Sequence, residues 1–181
     1  MRTLVLGGIR SGKSQWAETV IAESTDDGRV RYIATGASAD GDAEWSARIA
    51  AHRARRPARW STVETVDVTT QLRSNKATAT LVDDVGGWLT AVMDRRDAWT
   101  GGSVGADVDE LIDAVVCFGS PLALVSPEVG LTVVPQTASG RRFADELGGL
   151  NQRLAGLCDR VVLVIAGQPM TVKEPASRDR D

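Results

Sequence analysis

Gly7-Gly8-Ile9-Arg10-Ser11-Gly12-Lys13-Ser14 fits the pattern G-x-x-x-x-G-K-[ST], a loop whose backbone N–H groups cradle phosphates. Its flanks fit the same reading. Thr3-Leu4-Val5-Leu6 ahead of it is a short apolar run, as in a buried parallel strand. Ser14 to Glu23 behind it reads as a helix with Trp16, Ala17, Val20 and Ile21 on one side. A strand, a glycine turn and a helix N-terminus form an anion site, because free N–H groups and the helix dipole face the ligand. Lys13 adds a charge near the β- and γ-phosphates, and the Ser14 hydroxyl is placed to bind Mg²⁺. Gly7, Gly8, Ile9, Arg10, Ser11, Gly12, Lys13 and Ser14 are therefore the expected nucleotide-binding residues, with Lys13 also catalytic.

Outward from this loop the chain alternates strands and helices. Strands are expected at Arg29 to Thr35, Trp60 to Val66, Ala77 to Val82, Pro121 to Val125 and Arg160 to Ala166, with a short last one within Gly167 to Lys173. Helices are expected at Asp42 to Arg55, Val68 to Arg73, Gly87 to Met93, Ala106 to Phe118 and Gly140 to Asp159. Asp94 to Gly105, charged and then glycine-rich, reads as a surface loop, and Ser126 to Ser139 as irregular chain. The alternation predicts an α/β fold resembling the P-loop NTPases, a mostly parallel sheet with helices on both faces. Residues 1–173 read as a single domain and 174–181 as a polar, frayed tail.

Ligands of such sheets bind at the carboxyl ends of the strands. There the fourth strand supplies Thr80-Leu81-Val82-Asp83, an apolar run ending in a carboxylate. With Ser14, Asp83 is the expected Mg²⁺ ligand; Asp84, one step on, faces the other side of the strand. Guanine selection by an Asn-Lys-x-Asp run is excluded, since Asn75-Lys76 is followed by Ala77-Thr78.

Composition narrows the class. The 181 residues suffice for one sizeable core, and the net charge of −3 argues against a nucleic-acid binder. No apolar run approaches membrane-spanning length, and the chain enters its first strand at once, so a cytoplasmic protein is expected. Cys117 and Cys158 form no metal or disulfide signature and read as reduced core residues.

His52, the single histidine, lies among Arg48, Arg55 and Arg56 at helical spacings. Nearby cations disfavour imidazolium and keep the ring nucleophilic. A solvated histidine on a basic helix is the commoner arrangement, and nothing in the spacing alone overturns that reading.

Beyond the loop, an ordered set of segments resembles a known family. They are Tyr32-Ile33-Ala34-Thr35; Arg48-Ile49 with His52; Arg56-Pro57; Trp60; Val63-Glu64; Glu128-Val129-Gly130; Val134-Pro135; Gly140-Arg141; Asn151-Gln152-Arg153-Leu154-Ala155; and Ala166-Gly167. In order and spacing they are similar to the bifunctional adenosylcobinamide kinase/adenosylcobinamide-phosphate guanylyltransferases of cobalamin assembly. The likeness runs to about Lys173, with departures at Pro127, Thr132 and Asp84.

The resemblance implies two reactions. A nucleoside triphosphate, ATP or GTP, phosphorylates adenosylcobinamide. GMP then passes from GTP through a guanylyl-histidine on His52 to adenosylcobinamide phosphate, giving adenosylcobinamide-GDP. It further implies Mg²⁺ and a homotrimer; Glu64 and Glu128 are candidates for nucleotide binding or metal support, beside the reading of ordinary loop carboxylates. Two other readings stand beside it: a P-loop small-molecule kinase without nucleotidyl transfer, and a nucleotide-binding sensor without turnover.

Overall fold

The computed structural model describes residues 1–36 and 56–175. The helix expected over Asp42 to Arg55, with Arg48 and His52, lies outside the described residues, as does the tail from 176.

The strands are β1 (Arg2–Gly7), β2 (Val30–Ala34), β3 (Ser61–Glu64), β4 (Ala79–Asp83), β5 (Leu122–Pro127), β6 (Arg160–Ile165) and β7 (Gln168–Lys173). The helices are α1 (Lys13–Glu23), α2 (Val68–Ser74), α3 (Val85–Arg95), α4 (Gly105–Val116) and α5 (Ala138–Leu157). The strands form one sheet in the order β3-β2-β4-β5-β1-β6-β7. Every pairing is parallel except the hairpin of β6 with β7. β1 thus sits between β5 and β6, with Gly7 opposite both Pro127 and Val164.

Successive side chains of a strand point to opposite faces, and the core divides accordingly. On one face Leu4, Ile33, Val82, Leu122, Leu124 and Val161 pack under α2, α3, α4 and α5. On the other, Val5, Tyr32, Leu81, Ala123, Val125, Val162 and Val164 pack under Ala17 and Ile21 of α1. Helix ends are closed by side chains. Asp67, Asp84 and Thr137 accept from the N–H groups of Thr70, Gly87 and Gly140. At the far end of α5, Lys173 Nζ donates to the carbonyls of Ala155, Gly156 and Cys158.

Two expectations are corrected. Cys117 is exposed because it follows Asp113 by four residues and so continues the outer face of α4, opposite the buried Val108, Leu111 and Val115; Cys158 alone is a core residue. The stretch Asp94 to Gly105 begins within α3 and is anchored beyond it. Ala98 and Val104 are buried, and Trp99 stacks on Phe143 with ring centroids 6.2 Å apart. Burial of these apolar side chains outweighs the glycine-rich composition that suggested a free surface loop.

Candidate nucleotide site

At the carboxyl end of β1 the chain turns tightly into α1. Gly7 has no room for a side chain: a Cβ there would lie 2.5 Å from Ser11 Oγ and 2.7 Å from the Val164 carbonyl oxygen. Gly12 has φ of 91°, a left-handed conformation, and a Cβ would meet Gly167 Cα at 3.1 Å. The loop is tied on two sides. Gly167 N–H donates to the Ser11 carbonyl at 2.7 Å, and Glu128 N–H to that of Gly7 at 3.1 Å. Ile9 projects outward, 84% exposed. Lys13 opens α1, and its ammonium reaches back to the Gly8 carbonyl at 3.3 Å. The loop thus offers N–H groups, a helix N-terminus and a lysine to one anion.

The aspartate from β4 meets this loop. The Ser14 hydroxyl donates to Asp83 Oδ1 at 3.2 Å. Two hard oxygen donors from different elements converge there, as Mg²⁺ with phosphate and water ligands requires. Among the described residues no group of three or more His, Cys, Asp or Glu gathers as an all-protein metal site. Asp84 has another task. Its carboxylate caps α3 through Gly87 N–H at 2.7 Å, while its backbone N–H and carbonyl both bond to the Thr35 hydroxyl. Burial, reinforced by the neighbouring Asp83 charge, pushes the Asp84 carboxyl above its ordinary range against the cap's opposing effect.

Asp83 is held from beneath by Tyr32 and, under its ring, Arg56. The Tyr32 phenol donates to Asp83 Oδ2. Burial first, then the Asp83 charge, pushes that phenol far above its ordinary value, so it remains a donor. The Arg56 guanidinium lies 3.3 Å from the centre of the Tyr32 ring, 3.9 Å from Glu18 Oε1, and donates to Thr62 Oγ1 at 3.1 Å.

The site residues expected from sequence are therefore distributed unevenly. Gly7 to Ser14 and Asp83 come together. Glu64 ends β3, on the same sheet edge but four strands from Gly7. At the usual interstrand spacing that is roughly 19 Å, too far for Glu64 and Lys13 to contact one phosphate. Glu128 follows β5 and accepts from Gly130 N–H. Arg141 closes its own loop by donating to the carbonyls of Pro135 and Gln136.

Sequence reasoning passed over Tyr32, Thr35 and Asn151 as individual residues. Asn151 is buried on α5; it accepts from Ser126 Oγ at 2.6 Å and donates to the Pro127 carbonyl at 3.0 Å. The available signal was a polar residue at a helix position otherwise facing the core.

The profile of the family described as cobinamide kinase / cobinamide phosphate guanyltransferase matches residues 3–172. The chain is 40% identical over 176 residues to the bifunctional adenosylcobalamin biosynthesis protein CobP of Pseudomonas aeruginosa, covering 96% of this chain and 98% of that one. It is 34% identical over 186 residues to the bifunctional adenosylcobalamin biosynthesis protein CobU of Escherichia coli, covering 96% and 100%. Among solved structures, the P4 protein from bacteriophage phi6 in complex with ADP aligns over 97% of this chain and 55% of its own, at 15% identity and a TM-score of 0.48.

Proposed function

The chain belongs to the cobinamide kinase / cobinamide phosphate guanyltransferase family, and from that premise we propose how its residues divide two successive transfers. In the first, the γ-phosphoryl of ATP or GTP goes to the aminopropanol hydroxyl of adenosylcobinamide. In the second, GMP from GTP goes to the new phosphate, giving adenosylcobinamide-GDP. The observation that carries this reading is the closed phosphate loop with Asp83 bonded to Ser14 on the same sheet edge.

Phosphoryl transfer asks for positioning and charge neutralisation rather than a protein nucleophile. The loop's N–H groups and Lys13 hold the phosphates. Ser14 and Asp83 are the residues that would hold Mg²⁺, which when bound neutralises charge on the β- and γ-oxygens. Guanylyl transfer needs a nucleophile, and His52 is the chain's only imidazole. Its ring nitrogen attacks the α-phosphorus of GTP, the bond to the bridging oxygen breaks, and pyrophosphate leaves. The phosphate oxygen of adenosylcobinamide phosphate then attacks the same phosphorus, and the P–N bond breaks to restore the imidazole.

Arg56, four residues after His52 in sequence, lies on Tyr32 beneath Asp83 and beside Glu18 of α1. Glu64 is proposed to contact nucleotide farther along the edge. A homotrimer in the cytoplasm that does not bind nucleic acid completes the reading. Among the described residues no helix is long and apolar enough to cross a membrane.

Incubation with α-³²P-GTP and Mg²⁺, followed by a denaturing gel, tests it. Wild-type protein is expected to carry an acid-labile, base-stable label. His52→Ala is expected to lose both label and guanylyl transfer while keeping much of the kinase reaction. Label persisting on His52→Ala removes the nucleophile assignment. Phosphorylation of adenosylcobinamide without any label favours a kinase alone, and nucleotide binding without turnover favours a sensor.

A further inference from the structure

We infer that Tyr32 is a positioning residue for phosphoryl transfer: it fixes the Asp83 carboxylate so that one oxygen stays turned toward Ser14. The inference rests on the reading of Ser14 and Asp83 as the metal-holding pair.

The geometry follows from the sheet. β2 and β4 are neighbours, with Tyr32 opposite Leu81 and Ala34 opposite Asp83. Residues two apart on a strand share a face, so Tyr32, Leu81, Ala34 and Asp83 all face α1. Ser14 stands in the first turn of that helix. The phenol oxygen therefore runs beside Ala34, a small side chain, and reaches Asp83 from the side away from the loop. Among the described residues each carboxylate oxygen then has a partner: Oδ2 takes the phenol and Oδ1 the Ser14 hydroxyl.

A carboxylate held by Ser14 alone can turn about its last bond and present either oxygen. The phenol removes that freedom, and the phenol is itself restrained. Tyr32 is 2% exposed, Arg56 covers one ring face at 3.3 Å, and Trp60 packs at a centroid distance of 6.5 Å. A buried tyrosine with a purely structural hydroxyl needs only some acceptor, commonly a backbone carbonyl. Here the acceptor is the carboxylate that meets the phosphate loop, so the hydrogen bond acts on the site. A preorganised ligand geometry of this kind lowers the barrier without adding a contact to substrate.

The test compares wild type, Tyr32→Phe, Asp83→Asn and the double variant. The readouts are phosphoryl-transfer kinetics and nucleotide affinity with and without Mg²⁺, with melting curves confirming folded protein. Tyr32→Phe is expected to lower kcat about tenfold, the effect of one lost hydrogen bond to a charged group. KM for the triphosphate should change by less than about twofold, since the loop is untouched. In the Asp83→Asn background the same change should add nothing further.

A Tyr32→Phe enzyme with wild-type kcat, beside an impaired Asp83→Asn, overturns the role of Tyr32 and leaves the metal pair standing. An unimpaired Asp83→Asn overturns both. A full Tyr32→Phe effect persisting in the Asp83→Asn background also overturns it, because the tyrosine would then act elsewhere.

The unsubstituted sequence supplies an independent readout. Tyr32 is its only tyrosine, so 3-fluorotyrosine labelling yields one ¹⁹F resonance. That resonance is expected to move on adding GTP with Mg²⁺ and to move far less with GTP in EDTA. An identical response in both overturns the inference.

Discussion

Replacing Asn151 by leucine should destabilise the protein through two specific groups. The side chain is 6% exposed, and both its ends are engaged by β5. Leucine keeps the volume and favours the helix, so neither a cavity nor helix propensity enters strongly. What changes is that the Ser126 hydroxyl and the Pro127 carbonyl lose their partner; Ser126 is fully buried. An unsatisfied buried polar group costs about 1–3 kcal/mol, so the pair costs about 2–6 kcal/mol, less a part regained from burying an apolar side chain. For a domain of this size each kcal/mol lowers Tm by about 2–4 °C, so the two orphaned groups correspond to a fall of about 4–24 °C, less the part regained. Scanning calorimetry on wild type, Asn151→Leu, Ser126→Ala and the double variant measures it. The double variant should melt higher than the sum of the single losses implies, because one orphan disappears with its partner. A fall of less than about 2 °C, or strict additivity, refutes the reasoning. Nucleotide affinity should fall in parallel, since Pro127 lies opposite Gly7 in the sheet.

Lys13→Ala should weaken triphosphate binding by roughly 10- to 100-fold, the worth of a charge-assisted contact, and slow both transfers; unchanged affinity by titration calorimetry would show the loop to be an accident of sequence. At about pH 8 a disulfide reagent should titrate one thiol in native protein and two after denaturation. Cys117 is exposed, whereas burial pushes the Cys158 thiol up to about 12. Fast reaction of both thiols in native protein would contradict the packing under α5. Light scattering should return three times the chain mass of 19.2 kDa, and a monomer mass at working concentration would count against the trimer.

The parallel sheet was legible because each strand is a short apolar run and each helix carries its own apolar stripe. The phosphate loop was legible because its chemistry is local: eight consecutive residues specify the turn. Asp83 was legible for a related reason, since the carboxyl end of a parallel strand is where ligands bind. Tyr32 was not, because its partner is decided by β2 lying beside β4, a neighbour relation 49 residues apart that no local pattern records. Asn151 was hidden by its type: asparagine on a helix reads as exposed unless both hydrogen-bond partners are known. Cys117 stands in an apolar run, Ala114 to Phe118, but its helical position falls on the face of Asp113 and Val116 rather than on the buried stripe of α4. The anchoring of residues 98 to 104 depends on Phe143, on a helix far along the chain.

The position of β1 also has a bearing on how the protein is made. The strand that carries the phosphate loop is synthesised well before its two sheet neighbours, β5 and β6, which begin only at Leu122 and Arg160. The turn that grips Ser11 comes later still, at Gly167. At about 5–20 residues per second, the ribosome holds an unpaired β1 for roughly 8–30 s before both flanks exist. During that interval Leu4 and Val5 face solvent or a chaperone, and the loop lacks the backbone that later clamps it. A nascent chain halted before β6 should therefore bind triphosphate poorly, and affinity should arise abruptly with the last hairpin rather than accumulate as the sheet grows.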